Sequence, residues 1–179
     1  MTKPVDEVVL TLGEPYEKVR QQSRSTLPPL EPGAAWSGVV IRPARLRFAD
    51  PAHGFVTPAS KFLNVGYDEH GNVWSVTLSP QVETLPLDQA MAILLDLQEQ
   101  LRRSDWHPIL ASRYPPIINT PVMIESIRRG DDPKTFWQVA GKYQATLDIR
   151  RFVHENRPQD ERYLITLQLS GPPLMGSRP

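Results

Sequence analysis

The feature that most constrains this chain is a change of hydrophobic period between its middle and its last third. Leu87, Ala90, Met91, Leu94, Leu97 and Leu101 recur every three or four residues, the apolar stripe of an amphipathic helix. From Tyr143 the period falls to two. Tyr143, Ala145, Leu147 and Ile149 alternate with Gln144, Thr146, Asp148 and Arg150. Tyr163, Ile165, Leu167 and Leu169 follow, with Thr166 and Gln168 opposite. A one-sided sheet and a one-striped helix each need a second layer to cover their apolar side. Together they predict an α+β fold, an antiparallel β-sheet with helices packed on one face.

The long helix is predicted over Thr84–Ser104. Pro86 suits its start, Asp88 lies in the first turn, and Arg102 and Arg103 oppose the dipole at its end. Trp106, just beyond, is expected to pack beneath it. A short helix is predicted from Pro15 to Ser25, with Tyr16 and Val19 on one face, ended by the proline-rich loop Leu27–Gly33. Gly38–Ile41 and Arg45–Phe48 read as strands separated by Pro43. Phe62–Tyr67 and Val73–Leu78 read as a hairpin whose turn holds Gly71, a residue that accepts positive φ. Trp74, Val76 and Leu78 share a side by parity, which places Trp74 in the core. Core burial is also expected of Trp36 and Trp137, although both flank loops and suit exposed anchors. His107–Pro121 reads as irregular, Val122–Ile127 as a strand or a short helix, Arg128–Pro133 as a charged turn, and His154–Glu161 as the turn of a last hairpin. The expected architecture is one long and one short helix on an antiparallel sheet, in a single domain over residues 1–170. Residues 171–179 are expected to form a loose tail.

The chemistry of the side chains is informative mainly by exclusion. There is no cysteine, so disulfides, thiolate metal sites and a Cys nucleophile are ruled out. Basic and acidic residues balance at 20 each, unlike a general nucleic-acid binder with its net basic face. No apolar run is long enough to span a membrane. His53, His70, His107 and His154 have no second His at metal-ligand spacing. No Gly-x-Ser-x-Gly, P-loop or Gly-x-Gly-x-x-Gly motif occurs. No catalytic residue, cofactor site or metal site is therefore assigned. Arg42, Arg45 and Arg47 cluster on a predicted strand, as a solvated outer face or a patch for an acidic protein partner.

The segment Leu10-Thr11-Leu12-Gly13-Glu14-Pro15-Tyr16-Glu17-Lys18-Val19-Arg20 resembles the opening of small bacterial envelope proteins of the BamE (SmpA) and β-lactamase-inhibitor-protein type. There a Leu-Gly-x-x-Tyr/Phe-x-x-Val-Arg turn leads into a short helix on an antiparallel sheet. A Tyr-x-x-x-Gly-x-Val hairpin follows, as Tyr67–Val73 does here, and the long helix ending at Trp106 extends the likeness. The last third of the chain falls outside that pattern. The family's lipid-anchored members carry a leader and an N-terminal Cys, and this chain has neither. The resemblance implies a bacterial periplasmic or envelope location if a leader was removed; otherwise a cytoplasmic protein is expected. It also implies a non-enzymatic module that binds a protein partner, as an immunity protein occludes a secreted toxin or an assembly factor binds an envelope component.

On irregular segments that need not serve the core, Arg113, Tyr114, Arg128, Arg129, Asp131 and Asp132 are the candidate partner-binding residues. Asp131 and Asp132, bracketed by Gly130 and Pro133, read as a turn. A small-ligand carrier or enzyme with a pocket between sheet and helix is the alternative.

Overall fold

The computed structural model describes residues 4–30, 33–139 and 141–171. Apart from Gly171, the expected tail lies outside the described residues. The elements run β1 (Asp6–Leu10), α1 (Tyr16–Gln22), β2 (Trp36–Val39), β3 (Ala44–Phe48), β4 (Phe55–Val56), β5 (Phe62–Tyr67), β6 (Val73–Ser79), α2 (Leu87–Arg103), β7 (His107–Ile109), α3 (Pro121–Arg129), β8 (Lys134–Val139), β9 (Tyr143–His154) and β10 (Arg157–Ser170). They build an α+β fold with two sheets: a three-stranded one ordered β1-β3-β4 and a seven-stranded one ordered β2-β5-β6-β10-β9-β8-β7. All pairings are antiparallel except β1 with β3.

That parallel pair is the first departure from expectation. Asp6–Leu10 form a strand, and the return of the chain through α1 and β2 brings it beside β3. The two strands flanking Pro43 consequently belong to different sheets. A third helix, α3, is the second departure. Thr120 Oγ1 accepts a hydrogen bond from the Met123 amide at 3.3 Å, and Pro121 opens the first turn. Gly130, at φ 82, ends it in the left-handed conformation. These signals choose helix over strand for Val122–Ile127. They also place Arg128 and Arg129 in the last helical turn rather than in the loop beyond.

The long alternating strands bury one face. Leu63, Val65, Val76, Leu78, Leu147, Ile149, Ile165, Leu167 and Leu169 are buried, and α2 lies across β10. Every apolar residue of the α2 stripe is buried as its spacing predicts. Trp106 is buried beyond the helix and meets Phe48, Phe55 and Tyr143 with ring centroids 5.9 to 6.0 Å apart. This aromatic cluster joins the small sheet to the large one. A layer of buried apolar side chains therefore occupies the space between α2 and the sheet.

Trp74 is half exposed at 52%, against the parity expectation. The reason is a bulge. Gly66 pairs with Ser75 and Tyr67 with Val73, so Trp74 is the extra residue of β6. One extra residue inverts the alternation. Val73 turns inward in its place, and Trp74 turns out. Trp137, by contrast, is fully buried, and Trp36 is half-buried and stacked on Tyr67.

Three glutamine side chains stand in for absent strand neighbours. Gln98 accepts from the Ile117 amide at 2.9 Å and donates to its carbonyl at 2.8 Å. Gln100 does the same for Val56. Gln81 accepts from the Ile165 amide at 2.8 Å and donates to the Tyr163 carbonyl at 3.0 Å. A primary amide presents one acceptor and two donors, matching a peptide edge. In this way buried backbone that has left a ladder keeps its hydrogen bonds.

Candidate functional site

Among the described residues, no helix lines the groove on the face of the seven-stranded sheet opposite α2. Strand alternation points Leu164, Thr166 and Gln168 of β10 to this side, and the register aligns Thr166 with Asp148 and Asp148 with Lys134. Leu164 stands opposite Arg150 one step along. Leu164, Thr166, Asp148, Lys134 and Arg150, with Phe62 of β5, Ser79 of β6 and the turn at Gln81–Thr84, line an open groove of about 930 Å³. Glu83, Lys61 and Asp132 complete its charged walls.

The groove carries three cationic and three anionic side chains around an apolar strip of Phe62, Val82 and Leu164. Asp148 is its central ionisable group. Burial on the groove floor pushes its carboxyl above the usual range. Arg150 and Lys134 oppose that rise, and Asp132 reinforces it. Among the described residues no cation forms an ion pair with Asp148, so its charge is left for whatever occupies the groove. None of the four histidines lines it, and Asp148 stands directly across from Thr166. Charges of both signs around an apolar strip can recognise a surface of complementary shape and charge. Among the described residues, no three His, Asp or Glu side chains come together in a way that could hold a metal ion, and no helix is long and apolar enough to cross a membrane.

Of the six residues singled out on the sequence, Asp132 alone lines the groove. Asp131 turns away from it. Its carboxylate accepts from Ser126 at 3.0 Å and from Arg129, whose guanidinium beside it lowers its pKa. Arg128 pairs with Glu161 at 3.3 Å, and its carbonyl accepts from Arg151. Arg113 and Tyr114 lie in the turn after β7, at the sheet edge. The Arg113 guanidinium sits 5.3 Å from the Tyr114 ring centre, and that ring meets Phe136 edge-on at 5.1 Å. The structure thus gathers Arg128, Arg129 and Asp131 at the end of α3 and places Arg113 and Tyr114 apart from them.

The basic cluster of Arg42, Arg45 and Arg47, at the start of and along β3, is not a free patch. Glu7 of β1 lies 2.8 Å from both Arg45 and Arg47, and Asp6 lies 3.1 Å from Arg42 and 3.9 Å from Arg24. The Arg47 hydrogen bond leads in holding the Glu7 carboxyl below its ordinary pKa. The parallel β1–β3 pairing brings these charges together, and nothing in the local sequence around Arg42–Arg47 announces it.

His53 also has a structural task. Its Nδ1 lies 2.9 Å from the Ser104 carbonyl at the end of α2, and its own carbonyl accepts from Trp106 Nε1 at 2.9 Å. Asp50 in the same loop accepts from Tyr143 at 2.7 Å. Burial raises the Asp50 carboxyl, but the bonds from Tyr143 and from the Ala52 and His53 amides outweigh it and leave the pKa lowered.

Sequence reasoning missed Asp148, Lys134, Arg150 and Phe62 as a group. The signal within reach was the polar side of the β9 alternation, where Asp148 and Arg150 share a face in an otherwise uncharged run. No protein-family model, curated protein or solved structure matches this chain.

Proposed function

We propose that this protein is a non-enzymatic module that binds a partner protein across the open face of its large sheet, in the manner of an immunity protein occluding a toxin. One observation carries the reading: a concave, helix-free sheet face with an apolar strip, charges of both signs and an acid without an ion-pair partner. A stable interface buries roughly 800 Å² on each side. A partner of that footprint would cover the groove and reach Arg128, Arg129 and Asp131 on one flank and Arg113 and Tyr114 on another. Anchors that fill a groove supply most binding energy, and charges of both signs set orientation and exclude wrong partners.

The test is a titration against the purified product of the gene adjacent in the native genome. A sub-micromolar complex is expected, weakened at least a hundredfold by Phe62→Asp and by Asp148→Arg. Both positions are on the open face, so the fold should survive. No complex, or one indifferent to both substitutions, sinks the proposal.

A second reading, a small-ligand carrier or enzyme, has one observation in its favour. The groove volume of about 930 Å³ falls inside the roughly 300–1,000 Å³ of small-molecule sites. Ligand-observed NMR with a fragment library checks it. Hits that vanish in Asp148→Asn favour this reading, and an empty screen rejects it.

A further inference from the structure

A second and more enclosed cavity, of about 100 Å³, lies between α1, the segment that follows it and the end of β5. None of its lining residues lines the open groove. Its polar groups are Tyr16, Arg20, Ser23, Ser25 and Tyr67. Tyr67 is 1% exposed, yet its hydroxyl has no hydrogen-bond partner. Its ring is fixed edge-on to Tyr16 at 5.4 Å and stacked on Trp36 at 5.9 Å, so the hydroxyl cannot swing away to find one. A buried polar atom left in this condition in a native fold points to something that satisfies it.

The neighbouring groups show what that is. Tyr16 already donates to the Pro28 carbonyl at 3.1 Å. Ser23 accepts from the Val9 amide at 2.8 Å and donates to the Val9 carbonyl at 3.2 Å. Ser25 accepts from the Leu27 amide at 3.3 Å, which leaves its O–H to donate. Arg20 makes no ion pair among the described residues. The capacity left over is one of donors: the Tyr67 and Ser25 hydroxyls and a guanidinium. No carboxylate lines the cavity. Burial, reinforced by Tyr16, pushes the Tyr67 phenol up, so it stays protonated and able to donate. Donors around a cation call for a compact anion rich in acceptors.

We propose that this cavity is a binding site for a small inorganic oxyanion of phosphate or sulfate size, held by Arg20, Tyr67 and Ser25. The site is independent of the open groove, so its success or failure leaves the partner-binding reading untouched.

The experiment uses inorganic phosphate as the probe. Thermal unfolding of the whole protein is followed in phosphate and in chloride at matched pH and ionic strength, for the wild type, Arg20→Gln and Tyr67→Phe. In parallel, the Arg20 Nε–H resonance is followed as phosphate is added. Phosphate should raise the wild-type midpoint by a few degrees beyond chloride and shift the Arg20 resonance saturably. Both variants should lose the increment. Arg20 is exposed on α1, so Arg20→Gln keeps the test valid even if Tyr67→Phe perturbs packing. An unmoved Arg20 resonance overturns the proposal and leaves a cavity filled by water. The same phosphate increment in Arg20→Gln as in the wild type overturns it equally.

Discussion

The two faces of the seven-stranded sheet come from the same strands, one residue out of step, and they do opposite things. Toward α2 the residues are Ile165, Leu167 and Leu169, with Leu147 and Ile149 alongside, all buried. Away from it they are Leu164, Thr166 and Gln168, with Thr146, Asp148 and Arg150 alongside, partly or fully exposed. The first face is closed by a helix and holds the fold together. The second is an open groove of mixed charge that no helix lines among the described residues. The contrast teaches that stability and recognition can be separated on one element by the pleat alone. Substitution of neighbouring residues on one strand should therefore give unrelated phenotypes.

The largest effect is expected on the closed face. Leu94→Ala or Leu167→Ala should cost ~3–4 kcal/mol through lost burial and the cavity left behind, measured by urea denaturation. Gln98→Ala comes next, at about 2–3 kcal/mol, because it strands a buried amide and carbonyl at Ile117 and not because it removes apolar area. Gln98→Glu provides the sharper version. It keeps the acceptor for the Ile117 amide but sets a carboxylate against the Ile117 carbonyl, so native-state hydrogen exchange should show the Ile117 amide losing protection first. On the open face, Thr166→Ala should change stability by less than ~0.5 kcal/mol while weakening the partner complex. A loss of stability there as large as at Leu167 would break the comparison.

The last effect depends on pH. The folded carboxyl of Asp148 titrates above its ordinary range, so the native state holds that proton more tightly than the unfolded chain. The resulting stabilisation is present below the unfolded-state pKa and is lost as pH rises through the raised folded value. Asp148→Asn removes the charge that burial disfavours. It should stabilise the protein slightly near neutrality, and the gain should disappear as the pH falls below the carboxylate range. Paired melts at neutral and acid pH check this.

Much of the frame is legible in the residues. The 3.6-residue stripe of α2, the turn at Gly71 and the two-residue period of β9 and β10 are local patterns, and each forms where the pattern lies. What was hidden is non-local. Asp148 meets Thr166 and Lys134 through a register that no single strand encodes. The arginines of β3 are neutralised by Asp6 and Glu7, which arrive through a parallel pairing. Trp74 was misplaced because one bulged residue inverts parity. Gln98 carried a signal that was overlooked: it sits inside the apolar stripe, four residues after Leu94 and three before Leu101. A polar side chain at such a position must have buried partners. Of the candidate site, Asp132 alone was visible beforehand, because irregular segments mark where a site can be but not what faces it.

The central claim is that the open face, and not the helical side, meets the partner. Methyl-labelled NMR during titration with the neighbouring gene's product tests it most directly. The account predicts large shifts or broadening for the methyls of Val82, Leu164 and Thr166. The methyls of Leu94, Leu97 and Leu167, on the closed face, should stay in place. Perturbations confined to the closed face, or none at Val82, Leu164 and Thr166 in a saturated complex, would contradict it.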